Sequence, residues 1–152
     1  TQAETMKNIF VPLDLKADCQ AVVEHATAIA QAFGSTLWLE HVAAPDPEFA
    51  GYEAGPQYIR DMRADELREE HHKLGRIAKD LTEKGIQAHA LLIHGPTAET
   101  IIKEADRLKA DLLVMGTHGR RGLAKAFMGS VCDEVLRANR FKVLVVPTPL
   151  AH

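Results

Sequence analysis

The sequence predicts an α/β domain: a parallel sheet with helices on both faces. Three observations carry this. Short apolar runs without polar alternation recur along the chain, as in NIFVPL and ADLLVMG, which suits strands covered on both sides. Between them lie longer segments whose apolar residues return at helical spacing. Glycines and prolines punctuate the joins. Strands alternating with helices in this way belong to parallel sheets.

Each element follows in order. Residues 8 to 13, NIFVPL, read as the first strand, ending at Asp14. In ADCQAVVEHATAIAQAFG, Val22, Ala26, Ile29, Ala30 and Phe33 recur on one helical face, and Gly34 is a stop signal. TLWLEHVA, 36 to 43, is the second strand. Residues 44 to 57 hold three prolines and two glycines and read as a loop. A long polar helix spans about 58 to 84, with Leu67, Leu74, Ala78 and Leu81 on one face and Gly85 at its end. IQAHALLI, 86 to 93, is the third strand. After Gly95-Pro96 a helix carries Ile101, Ile102, Ala105 and Leu108. ADLLVMG, 110 to 116, is the fourth strand. A glycine-bearing stretch follows, then a helix from about Ser130 to Ala138, and FKVLVVP, 141 to 147, as the fifth strand.

The totals narrow the functional classes. A chain of 152 residues reads as one domain, 1–152, large enough to bury a core. No apolar run approaches the roughly 20 residues of a membrane span, and TQAETMKN lacks the apolar segment of a signal peptide. A net charge of −3 argues against a nucleic-acid partner. Two cysteines do not make a disulfide framework, so a cytoplasmic setting is expected.

The chemistry concentrates in MGTHGRRGLAKAFMGS, residues 115 to 130. Gly116, Gly119 and Gly129 are spaced G-x2-G-x9-G, and Ser130 follows at once. Glycines let a backbone approach a ligand closely and take positive φ. The helix expected to begin at Ser130 offers N–H groups without intrahelical partners, which suit phosphate. Arg120, Arg121 and Lys125 add positive charge. The stretch leaves the carboxyl end of a parallel strand, where open sheets bind ligands. It therefore reads as a phosphate cradle. Neither GxxxxGK[ST] nor GxGxxG after the first strand is present, which disfavours a P-loop ATPase and an ordinary dinucleotide dehydrogenase.

Other chemistry-bearing residues read more plainly. His71 and His72 are adjacent on a helix and diverge, so they read as a solvated face rather than metal ligands. His25, His41, His89 and His94 are scattered, and no metal site is expected. Cys132, near a helix start, has either a lowered thiol pKa or the role of a small apolar filler; the filler is the preferred reading. Asp14 is open to two readings, a helix cap or a ligand contact at a strand end.

IFVPLD, VLVVP and the G-x2-G-x9-G-S motif together resemble the universal stress protein family, over nearly the whole chain. The resemblance implies a five-stranded parallel sheet of order 3-2-1-4-5, which sets the first and fourth strands side by side so that Asp14 and Gly116 face one cleft. It implies ATP with Mg2+ as ligand, since members with this motif typically bind ATP. Asp14 resembles the acid near ribose and adenine, with Pro12 lining the pocket. Val42 resembles the residue whose backbone meets the adenine edge. Gly116 would lie against the ribose, with Met115 beside it among the cofactor-binding residues. His118, Gly119 and Arg120 would wrap the phosphates, and Gly129, Ser130 and Val131 would close the cradle. After the acid this chain has Leu15-Lys16, where the family often has a small or hydroxyl residue.

No catalytic residue is assigned. The expected function is an ATP-binding regulatory or stress-response module with at most slow ATP hydrolysis. The alternatives are a slow ATPase or phosphotransferase, and a dimerising protein with an empty cleft. A homodimer through the last strand, Lys142 to Val146, is expected, because an apolar strand at a sheet edge invites pairing.

Overall fold

The computed structural model describes residues 6–13, 15, 19–43, 57–94, 97–116 and 131–147. The order is β1 (Asn8–Pro12), α1 (Gln20–Phe33), β2 (Thr36–Ala43), α2 (Gln57–Glu83), β3 (Ala88–His94), α3 (Thr97–Arg107), β4 (Leu112–Gly116), α4 (Cys132–Arg137) and β5 (Val143–Val146). All strand pairs are parallel and the sheet order is β3-β2-β1-β4-β5. The chain is thus an α/β domain of the predicted order.

The central strands are covered on both sides, as their lack of alternation requires. Ile9, Val11, Leu37 and Leu39 pack with Val22, Ala26 and Ala30 of α1 and Leu74, Ala78 and Leu81 of α2. Phe10, Val42, Leu113 and Met115 face the other way, onto Ile101 and Ala105 of α3 and Cys132 and Val135 of α4. β4 is buried along its whole length.

Several boundaries differ from the sequence reading. β1 and β5 are shorter than expected, and β3 starts later and ends one residue later. The apolar flanks Ala110 and Phe141 pack against the core from outside the ladder. Hydrophobicity alone therefore overestimates strand length. Phe33 is not on the buried stripe: it lies in the last turn of α1 and is 62% exposed. Burial on that helix ends at Ala30. Gly34 and Gly85 stop their helices with φ of 67° and 89°, where a side chain would be strained. Neither cysteine forms a disulfide; Cys132 is buried, and desolvation followed by the Asp133 charge raises its thiol pKa. That is the apolar filler, not an activated thiol.

At the amino ends of the strands, one carboxylate ties β1 to β4. Asp111 Oδ2 accepts hydrogen bonds from the Lys7 and Asn8 backbone N–H groups, both 2.9 Å. Asn8 Oδ1 in turn accepts from Trp38 Nε1 at 3.1 Å. These hydrogen bonds latch the amino ends of the strands.

Candidate functional site

The carboxyl ends of β1 and β4 meet at the point where strand order reverses. Ile9 pairs with Leu112 and Phe10 with Leu113. Following that register three residues onward sets Leu13 level with Gly116. Connections leave these two ends toward opposite faces, α1 on one side and α4 on the other, and such a divide is where open α/β sheets bind ligands.

Among the predicted site residues, the fold brings Val42, Met115 and Val131 into one apolar cluster with Phe10 and Cys132. Val42 ends β2, Met115 precedes Gly116 on β4, and Val131 stands just before α4. Met115 and Gly116 are flanked by Val145 and Val146 of β5. Pro12 is buried at the end of β1, paired with Glu40 in register. Asp14, His118, Gly119, Arg120, Gly129 and Ser130 lie outside the described residues.

The approach to Asp14 is held from α2. His41 is 2% exposed on β2, and its Nδ1 lies 3.0 Å from the Leu13 carbonyl oxygen. A carbonyl only accepts, so Nδ1 carries the proton and donates. The other ring nitrogen, Nε2, lies 2.8 Å from Glu70 Oε2, an ion-pair distance without the alignment of a hydrogen bond. One turn along α2, Lys73 Nζ donates to the Leu15 carbonyl oxygen at 2.8 Å. Leu13 also donates its N–H to the Glu40 carbonyl at 2.8 Å. The side chains of Leu13 and Leu15 are both buried in the α1/α2 core.

A buried ionisable group lies on the opposite face of β2. Glu40 is fully buried, and among the described residues neither carboxyl oxygen has a hydrogen-bond partner. Burial first, and the Glu104 carboxylate second, push its pKa from 4.5 up to about 8, against an opposing pull from Arg107. Arg107 is engaged with Glu104, its Nη2 2.6 Å from Oε2, and that pairing raises the guanidinium pKa further. Glu40 is therefore neutral at pH 7, a protonated acid in an apolar setting.

The sequence reading missed Glu40, His41, Glu70 and Lys73. A signal existed. Glu40 and His41 are adjacent polar residues in a strand that otherwise reads as buried on both faces, so each must enter a covered layer. His71 and His72, next to Glu70, are exposed as expected. Among the described residues, no group of three or more His, Cys, Asp or Glu side chains is placed to hold a metal.

A groove of about 570 Å³ runs between α1 and α2, lined in part by Cys19, Val23, Thr27, Lys73 and Ile77. It lies on the α1/α2 side of the sheet, away from the Val42, Met115 and Val131 cluster.

Comparison with known proteins agrees with this architecture. Universal stress protein MJ0531 of Methanocaldococcus jannaschii is 32% identical over 144 residues, covering 94% of this chain and 83% of the relative. Among solved structures, MJ0577, a universal stress protein of the same organism, superposes with a TM-score of 0.80 at 24% identity, over 97% of this chain and 100% of that one. A universal stress protein solved in complex with cAMP gives 0.60 at 22% identity, covering 95% and 98%. One from Archaeoglobus fulgidus in complex with dAMP gives 0.65 at 18%, covering 91% and 96%. The model of the universal stress protein family matches residues 5–147, and the chain belongs to that family.

Proposed function

We propose that this protein is an ATP-binding module of the universal stress protein family, holding ATP with Mg2+ and changing its partners with its nucleotide state. The observation that carries the reading is the placement of the motif. G-x2-G-x9-G-S begins at Gly116, the last residue of β4, at the switch point between β1 and β4. Backbone N–H groups freed by glycines, at the head of a helix, suit an anionic phosphate. Support also comes from the family relatives described with cAMP and dAMP, both adenine nucleotides.

In this reading the Val42 backbone meets the adenine edge, Pro12 and Met115 belong to the pocket, Gly116 lies against the ribose, Asp14 stands near ribose and adenine, and Val131 closes the phosphate cradle. His118, Gly119, Arg120, Gly129 and Ser130 surround the phosphates. We read the protein as a binding module rather than a dedicated enzyme, because Asp14 is the single acid that the sequence assigns to the cleft. Replacing Gly119 or Gly129 by valine is expected to abolish ATP binding in calorimetry with the fold intact by circular dichroism. Positive φ alone costs a non-glycine residue about 1 kcal/mol, and the side chain blocks approach to the phosphates. If both variants bind ATP as tightly as the wild type, the cradle is misassigned.

We also propose a homodimer through β5. This strand is an edge of the sheet, and Val143, Leu144 and Val145 are only half-buried in the single chain. Two copies can pair these edges about a two-fold axis, and Pro147 ends the pairing because it lacks an N–H. Val145→Lys is expected to shift the mass in light scattering from dimer to monomer. A wild-type protein that is monomeric at micromolar concentration contradicts the proposal.

A further inference from the structure

We propose that Glu40, with Glu104 and Arg107 facing it, forms a pH-sensitive latch for α3: the helix stays docked on the sheet while Glu40 carries its proton, and its second half lifts locally from β2 when that proton leaves to water.

The geometry comes first. Leu39 packs on the α1/α2 side of the sheet, whereas Trp38 and Val42 pack on the other side, with α3. Strand side chains alternate, so Glu40 enters the layer beneath α3. It is fully buried, and among the described residues neither carboxyl oxygen has a hydrogen-bond partner. Its register neighbours, Pro12 on β1 and Leu91 on β3, carry no polar side-chain atom. His89, two residues earlier on β3, is exposed and stacked on Trp38, with ring centroids 4.6 Å apart. From α3, Glu104 and Arg107 act on Glu40. Arg107 is already engaged: its Nε lies 3.1 Å from both Glu104 oxygens and its Nη2 2.6 Å from Oε2. The other charged side chains of α3, Glu99, Lys103 and Asp106, are exposed, and Asp106 pairs with Arg140 at 2.7 Å.

Packing alone does not account for an acid here. A buried carboxyl without a partner costs stability even when neutral, and far more once ionised. A leucine or methionine would carry neither cost. What the acid adds is a dependence on pH. Burial first, and the Glu104 charge second, hold the Glu40 pKa at about 8 beneath the docked helix, against the pull of Arg107. Where α3 lifts, water reaches the carboxyl and its pKa returns toward the ordinary 4.5. The docked form therefore binds the extra proton and is favoured at low pH. Between these two values the ratio of lifted to docked helix rises about tenfold per pH unit, and it is level above about pH 8.

The opening is local because the groups set against an ionised Glu40 sit on one element. Glu104 and Arg107 both belong to the second half of α3, and single elements open at lower free energy than the whole domain. Ile101 and Ala105 of the same helix share one apolar cluster with Val42 and Met115. The latch thus loosens that layer as pH rises.

The test is amide hydrogen exchange on the full chain from pH 5 to pH 8, corrected for the intrinsic pH dependence of exchange, without urea and at low urea. In the wild type the amides of residues 103–107 are expected to exchange through an opening that urea scarcely affects, because little surface is exposed. That opening is expected to grow about tenfold per pH unit. The β4 amides exchange only through urea-sensitive global unfolding. Glu40→Gln removes the pH dependence of the α3 opening. Glu104→Gln, which removes the repelling charge and frees Arg107, makes it level off at a lower pH. α3 amides that follow β4 in urea dependence at every pH overturn the latch. A pH slope in Glu40→Gln as steep as that of the wild type also overturns it.

Discussion

His41→Leu is expected to destabilise the protein by about 3–5 kcal/mol, the range for removing one partner of a buried ion pair. The substitution strands the Glu70 carboxylate, which is 7% exposed, and leaves the Leu13 carbonyl without its side-chain donor. A domain of ordinary stability has about 5–15 kcal/mol in all, so the loss is a large share of the total and lowers Tm by roughly 10 °C. The double variant His41→Leu/Glu70→Leu is expected to recover most of that loss, because no charge then remains buried. Urea denaturation of the wild type, both single variants and the double variant closes the cycle. A double variant no more stable than His41→Leu contradicts the assignment of the cost to a stranded charge.

Glu40 gives the second large effect, and its sign is opposite. Its carboxyl keeps its proton in the fold up to about pH 8, whereas in the unfolded chain it ionises near the ordinary 4.5. Between these values the folded state binds more protons than the unfolded one. Stability therefore falls as pH rises from about 4.5 to about 8, and the contribution is level above that. The full excursion is on the order of 5 kcal/mol. Glutamine copies the shape of the protonated acid and cannot ionise. Glu40→Gln is expected to be more stable than the wild type at pH 8, with little difference at pH 4. The measured quantity is the difference between the two proteins in urea midpoint against pH, which cancels the titrations common to both. A difference that does not grow with pH contradicts a buried neutral Glu40.

These two residues also mark where a linear reading of the chain stops. Local signals were sufficient for the elements: β2 was read at 36 to 43 and spans Thr36–Ala43, and Gly34 and Gly85 stop their helices as expected. The apolar faces of α2 and α3 were legible because 3.6-residue spacing is a local property. Leu74, Ala78, Leu81, Ile101 and Ala105 are all buried. The alternation of elements gave the parallel sheet, and the family resemblance gave its order. The contacts of His41 and Lys73 with the Leu13 and Leu15 carbonyls were not legible because their parts lie far apart in sequence. His41 and Leu13 are 28 residues apart, and Lys73 and Leu15 are 58 apart. Only the strand order and the path of α2 bring them together. Strand ends were misjudged where apolar residues such as Phe141 pack beside the sheet without joining its ladder.

The central claim is that the strand ends at β1 and β4 hold ATP. Isothermal titration of the purified protein with ATP in the presence of Mg2+, with GTP as the comparison, tests it most directly. The account predicts saturable binding of ATP, weaker binding of GTP, and loss of the ATP signal in Gly119→Val. No detectable ATP binding at millimolar nucleotide contradicts it.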